Sequence, residues 1–243
     1  MGDSPVGCSP VNHTPRPPAP GLVIAIDGTS GSGKSSTSRG VARRLGLSYL
    51  DTGAMFRAMT WWLLREGVDV HDPAAVAARC GAPTIVSGTD PEDPTITVDG
   101  TDVAVAIRGD AVNAAVSAVS AVPEVRRQLL DLQRAVIALH TRTGGIVVEG
   151  RDIGSVVVPS APVKVYLSAD PEARAVRRAA EQGGADLAAT QESLLARDRI
   201  DSGRATAPLV MADGAVHIDT TPYSLDEVID LVVELAEQAA ARA

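Results

Sequence analysis

The chain has 243 residues, a formal net charge of −8, and 45% hydrophobic and 21% charged residues, which suits a folded globular protein of one or two domains. The negative charge argues against a protein that coats nucleic acid or lies on anionic membranes, and two Trp, three Tyr and one Phe leave little for stacking on single-stranded bases. No apolar run approaches a membrane span, no basic-then-apolar export signal opens the chain, and Cys8 and Cys80 are too few and too scattered for a disulfide framework or zinc site. A cytoplasmic protein without nucleic-acid or membrane partners is expected. Apart from Lys34 and Lys164 every basic residue is Arg, a rigid fork of donors suited to a small anionic ligand.

Residues 1–20 hold six prolines and no periodic apolar pattern, and are expected to form a disordered tail before a folded unit over 21–243. Leu22-Val23-Ile24-Ala25-Ile26 reads as a strand buried on both faces of a parallel sheet. Asp27 ends it, a glycine-rich loop follows, and Val41 and Leu45 mark a helix from Lys34 to near Gly46. Leu47–Leu50 predicts a short second strand, and Asp51 or Thr52 caps a helix to about Glu66.

From about 67 to 108 the character changes. A short helix over Pro73–Arg79 precedes β-like segments at Thr84–Ser87, Thr95–Val98 and Thr101–Ala106, with Asp99-Gly100 as a hairpin signal. This predicts a small antiparallel subdomain inserted into an α/β core of 21–66 and 109–243. Asp110–Val122 and Pro123–Thr141 read as helices divided at Pro123, and Ile146–Val148 and Val163–Leu167 as strands, with a helix starting at Pro171. Gly183-Gly184 breaks that helix, and about 183–190 is expected to be a mobile lid. Gln191–Arg204 is helical again, Val216–Ile218 is the last strand, and Ser224-Leu225-Asp226-Glu227 is a capping box opening a final amphipathic helix. Strands alternating with helices give a parallel α/β sheet with ligands at the strands' carboxyl ends.

The strongest motif is Gly28-Thr29-Ser30-Gly31-Ser32-Gly33-Lys34-Ser35, a G-x-x-x-x-G-K-S phosphate loop between a strand and a helix. Its glycines let backbone N–H groups curl toward phosphate oxygens; Lys34 adds charge, Ser35 a hydroxyl for Mg²⁺, and the helix its N-terminal dipole. A chance Gly/Ser turn is disfavoured by the strand before it and the helix after it. Thr52 and Arg57 lie in the first turns of a helix, where an anion is favoured, although Arg57 alone is equally well read as a surface ion pair. Glu149-Gly150-Arg151-Asp152 sets two carboxylates around an Arg directly after a buried strand, which favours a site over a strand-exit ion pair. Arg197, Asp201 and Arg204 share one helix face, and Arg174, Arg177 and Arg178 stand beside the Gly183-Gly184 break. Both groups, taken alone, are better read as a solvated charged surface.

Taken together and in order, Gly28–Ser35, Asp51–Arg57, Gly150–Gly154, Ala161–Leu167, Arg197-Asp198 and Arg204–Leu209 resemble the bacterial cytidylate kinases, nucleoside monophosphate kinases of the P-loop class. The resemblance covers about Leu22 to the C-terminus. It implies a three-layer P-loop kinase fold with a central parallel five-stranded sheet, an enlarged monophosphate-binding insert and a short lid. It implies transfer of a phosphoryl group from ATP to CMP and dCMP by a monomer using Mg²⁺. Residues Gly28, Thr29, Ser30, Gly31, Ser32, Gly33, Lys34, Ser35 and Ser36 would hold ATP, with Ser35 on Mg²⁺ and Glu149 reaching it through water.

By the same resemblance, Ser30, Thr52, Arg57, Arg151 and Arg204 would surround the CMP phosphate, Arg197 and Asp201 the ribose, and Ser117, Arg126 and Asp152 the cytosine. Lys34, Arg57, Arg151, Arg204 and the lid-side Arg174 and Arg178 would be the catalytic cations. Two positions depart from the family's usual residues: Thr52 replaces a frequent serine and keeps the hydroxyl, while Glu149 replaces aspartate. A kinase for UMP or a non-nucleotide acceptor is the alternative enzyme, and a nucleotide-dependent switch the alternative class, although a guanine-reading N-K-x-D motif is absent from the sequence.

Overall fold

The computed structural model describes residues 21–181, 184, 186–204 and 207–242. The expected N-terminal tail (1–20), and Gly183 and Ala185 of the expected lid, lie outside them. Strand β1 (Leu22–Gly28) leads into helix α1 (Lys34–Leu45), β2 (Ser48–Asp51) and α2 (Thr52–Arg65). The insert holds α3 (Pro73–Arg79), β3 (Ile85–Ser87), β4 (Ile96–Val98), β5 (Thr101–Asp102) and a 3₁₀ turn at Ala106–Arg108. There follow α4 (Asp110–Ala121), α5 (Pro123–Thr141), β6 (Gly145–Gly150), a π-helical turn at Ile153–Val157, β7 (Val163–Ser168), α6 (Pro171–Glu181), α7 (Leu187–Gly203), β8 (Val216–Asp219) and α8 (Leu225–Ala240).

The main sheet has five strands in the order β2-β6-β1-β7-β8, and its pairings are all parallel. Every residue of β1 is buried, because its two faces feed two cores. Leu22, Ile24 and Ile26 pack with Val41, Leu45, Val228, Ile229 and Val232 of α1 and α8. Val23 and Ala25 face Met55, Met59, Val119, Leu129 and Ile137 of α2, α4 and α5. The period-2 alternation of a strand thus divides one apolar run between two helical layers. Among the described residues no helix is long and apolar enough to cross a membrane.

The insert's sheet is antiparallel, in the order β3-β4-β5. Asp99 (φ 50°) and Gly100 (φ 78°) both take positive φ at its hairpin, the conformation that an Asp-Gly turn supplies. Asp99 also accepts from Trp62 Nε1 at 3.1 Å and from the Thr84 N–H at 2.8 Å, tying the turn to α2. The β3–β4 loop reaches back to the core: the Tyr49 N–H donates to Thr89 O at 2.9 Å and Arg39 Nε to Pro91 O at 2.9 Å.

Three elements differ from the sequence reading. Strand β5 stops at Asp102 rather than Ala106, because the chain there turns back into the 3₁₀ turn, where the Ile107 N–H donates to Val103 O at 2.9 Å. Helix α7 starts at Leu187 instead of Gln191, within the expected lid, because Asp186 caps it through the Ala188 and Ala189 N–H groups at 2.8 and 3.2 Å. The π-helical turn after β6 has no sequence signature and is held from outside by Asp27.

Candidate active site

The phosphate loop calls for glycine at two points, one for a close contact and one for a positive φ. A Cβ on Gly28 would stand 1.9 Å from Leu167 O, and Gly33 takes φ 86° just before α1 with no side-chain cap. The first N–H groups of α1 therefore remain free to face an anion. Lys34 is buried and its Nζ donates to Thr29 O at 2.6 Å; burial and the nearby Arg151 guanidinium hold its ammonium well below the usual range. The loop is braced from behind. Asp198 accepts from the Ser30 N–H at 3.0 Å and pairs with Arg174, which also donates to Ser30 O at 2.9 Å.

Beside the loop, Glu149 near the end of β6 is 3% exposed. Its Oε2 accepts from Ser35 Oγ at 3.0 Å and its Oε1 from the Tyr49 hydroxyl. Burial, with Asp51 nearby, raises its carboxyl above the ordinary range, and burial likewise raises the Tyr49 phenol. A hydroxyl and a buried carboxylate side by side at a phosphate loop fit a hard divalent cation such as Mg²⁺. Among the described residues no three His, Cys, Asp or Glu form a metal-binding group, so the remaining ligands of such an ion would be nucleotide phosphates and water.

The opposite wall collects arginines. Arg57 of α2 donates through Nη1 to Ile107 O at 3.0 Å and Asn113 Oδ1 at 2.7 Å. Burial, then Arg197 and Arg178, lower it to about 9; burial and Arg151 lower Arg197 to about 10. Arg151 Nε pairs with Asp201 Oδ2 at 3.0 Å, while Arg204 reaches Asp201 Oδ1 at 3.9 Å and Ser120 Oγ at 3.4 Å. Among the described residues, the buried Arg197 Nε and Arg204 Nη2 have no hydrogen-bond partner. Crowded, mutually destabilised cations with orphaned donors are the signature of an anion site.

The same cleft is bordered by a buried ion pair. Arg126 joins Asp152, donates to Ser120 O at 3.1 Å and lies 5.3 Å over the Phe56 ring. Ser117 borders the same space. The close packing of this corner depends on Gly150, where a Cβ would meet Thr52 Oγ1 at 2.6 Å and Ile153 Cδ1 at 2.7 Å. Thr52 Oγ1 donates to Glu149 O at 2.7 Å, joining the start of α2 to the end of β6.

One open cleft unites these parts. It is lined by the predicted residues Ser30, Gly31, Gly33, Lys34, Ser35, Ser36, Thr52, Arg57, Ser117, Arg126, Glu149, Arg151, Asp152, Arg178, Arg197, Asp201 and Arg204. Gly28, Thr29 and Ser32 of the loop, and Arg174 behind it, are not part of this lining. Thr29 O accepts from Lys34 Nζ and from Ser32 Oγ at 2.9 Å, and Arg174 is 4% exposed against Ser30 and Asp198. The sequence reading did not single out Asp27, Tyr49, Asn113, Ser120 or Asp198 as site residues. Asp198 carried a signal, since it follows Arg197 on the same helix, and Asp27 another, as a carboxylate at the end of an apolar strand. Asn113 and Ser120 had none, because their partners come from distant segments.

A family model described as cytidylate kinase matches residues 24–238. The chain is 57% identical over 219 residues to a cytidylate kinase of Streptomyces avermitilis, spanning 90% of this chain and 94% of the relative. It is 58% identical over 216 residues to a cytidylate kinase of Streptomyces griseus, spanning 89% and 93%. A third cytidylate kinase, from Streptomyces coelicolor, is 58% identical over 222 residues, spanning 91% and 95%.

Proposed function

The chain belongs to the cytidylate kinase family and phosphorylates CMP from ATP, and we propose that its cleft divides the work as follows. The N–H groups of the phosphate loop and Lys34 hold the ATP phosphates. Ser30, Thr52, Arg57, Arg151 and Arg204 hold the phosphate of CMP or dCMP, with Arg197 and Asp201 on the ribose. Asp152, fixed by Arg126, accepts from the cytosine amino group with Ser117 beside it. Uracil offers an acceptor at that position, so a carboxylate favours cytosine.

Phosphoryl transfer asks for alignment and charge neutralisation more than covalent chemistry. The acceptor phosphate is largely dianionic near neutral pH, so no general base is required. Arg57, Arg151, Arg178 and Arg204 offset charge spreading over the transferring group, and Arg174 acts by bracing Ser30 of the loop. Mg²⁺, held by Ser35 directly and by Glu149 through water, would neutralise donor-phosphate charge. Closure of the insert over the cleft excludes water and so limits wasteful hydrolysis. The described residues supply both walls of the cleft from one chain, which supports a monomeric enzyme; its nucleotide substrates fit a cytoplasmic location.

The observation that carries this reading is that a single cleft is lined by the phosphate loop, the arginine cluster and the Arg126–Asp152 pair. Arg57→Ala and Arg204→Ala are expected to lower kcat/KM for CMP by about a hundredfold or more, as when a charged phosphate contact is lost. ATP affinity, measured separately with a fluorescent ATP analogue, should stay within about twofold. Near wild-type kinetics on CMP would reject the phosphate role of these arginines.

A further inference from the structure

Four arginines in or behind the cleft stand against carboxylates. Arg126, Arg151, Arg174 and Arg204 each have a carboxylate within ion-pair range, in Asp152, Asp201, Asp198 and Asp201 respectively. Arg57 is held differently. Its Nη1 donates to two neutral oxygens, Ile107 O at 3.0 Å and Asn113 Oδ1 at 2.7 Å. Asp51 acts on it only through space and is already engaged in capping α2 through the Ala54 N–H at 2.9 Å.

The orientation of the Asn113 amide is fixed by its second bond. Its Nδ2 donates to Arg108 O at 3.0 Å, which leaves Oδ1 as the atom facing a guanidinium that can only donate. Asn113 therefore bridges the Arg57 side chain on α2 to the 3₁₀ turn that ends the insert. Neutral acceptors orient a cation without spending its charge, whereas a carboxylate would compete directly with an incoming phosphate.

We infer that Asn113 is a positioning residue for the acceptor phosphate: it aims Arg57 into the cleft while leaving its full positive charge for the substrate. The inference rests on the reading of Arg57 as a ligand of the CMP phosphate. The crowding of Arg57 by Arg197 and Arg178 agrees with it, since a cation in that field gains from an anion.

Asn113→Asp and Asn113→Ala separate charge from geometry. Both lose the Nδ2 bond to Arg108 O, but only Asp places a carboxylate against Arg57. The expected result is a KM for CMP raised about tenfold or more in Asn113→Asp and about threefold in Asn113→Ala, with KM for ATP within about twofold in both. Melting temperatures establish that both variants fold. A purely structural role would move both variants alike and would affect ATP as much as CMP, so either pattern overturns the inference, as does a wild-type KM for CMP in Asn113→Asp. Arg57→Ala is measured alongside. If it leaves the KM for CMP unchanged, the phosphate role of Arg57 falls and this inference with it. If it raises that KM while Asn113→Asp does not, the inference alone falls.

Discussion

Asp27 shows how one side chain joins the fold to the site. It stands one residue before the end of β1, is 3% exposed, and accepts the Ile153 and Gly154 N–H groups at 2.8 Å each. Those bonds pin the turn that follows Arg151 and Asp152. Burial pushes its carboxyl up to about 6, against the pull of the two N–H groups. Because the folded value lies above the ordinary 3.8, the native state takes up a proton between those values that the unfolded chain does not. The stability contribution of this group therefore grows as pH falls through 6 and shrinks as pH rises. Compared with Asp27→Asn, the wild type should gain about 1 kcal/mol between pH 7 and pH 5. Denaturant unfolding of both proteins across that range checks this, and a constant gap would contradict it. The sequence marked Asp27 only as the end of a strand, since both of its partners lie more than a hundred residues away. Lys34, Thr52 and Arg151 were legible because local motif chemistry, reinforced by family resemblance, announces them.

At the scale of elements, the site depends on β6 running close against the start of α2. Gly150 is where they meet, with Thr52 Oγ1 and Ile153 Cδ1 in the space a methyl group would need. Gly150→Ala is expected to cost about 1–3 kcal/mol of stability through overpacking, and to raise the KM for CMP more than that for ATP by displacing Thr52 and Arg151. Thermal unfolding with paired kinetics tests both parts; unchanged stability and CMP kinetics would remove Gly150 from this role. Elements set by local chemistry could be read from sequence. The Asp99-Gly100 turn and the Ser224–Glu227 capping box, with the Glu227 N–H donating to Ser224 Oγ at 3.3 Å, are such cases. Those set by tertiary contact could not: the π-helical turn takes its form from Asp27, and β5 yields to the packing of the 3₁₀ turn.

For the whole molecule, the sheet order brings the parts together. With β1 central and β6 and β7 on either side, the phosphate loop after β1 and the Glu149–Asp152 segment at the end of β6 become neighbours, as expected at the carboxyl ends of a parallel sheet. Helix α7 adds Arg197 and Asp201, and Arg204 directly after its last residue, while Asp198 on the same helix grips the loop at Ser30. One helix thus links the phosphate loop to the arginine cluster. Hydrophobic patterning indicated parallel strands but not their order; that the phosphate loop and the Arg126–Asp152 pair belong to one cleft became legible only through family resemblance. The central claim is that this cleft accepts CMP as its phosphoryl acceptor. It is tested most directly by ADP release from ATP with CMP, UMP, AMP or GMP as acceptor, and with none. The expected result is a kcat/KM for CMP about tenfold or more above those for AMP and GMP, with little ADP formed in the absence of an acceptor. Equal or faster turnover of AMP or GMP, or ADP release that ignores the acceptor, would contradict it.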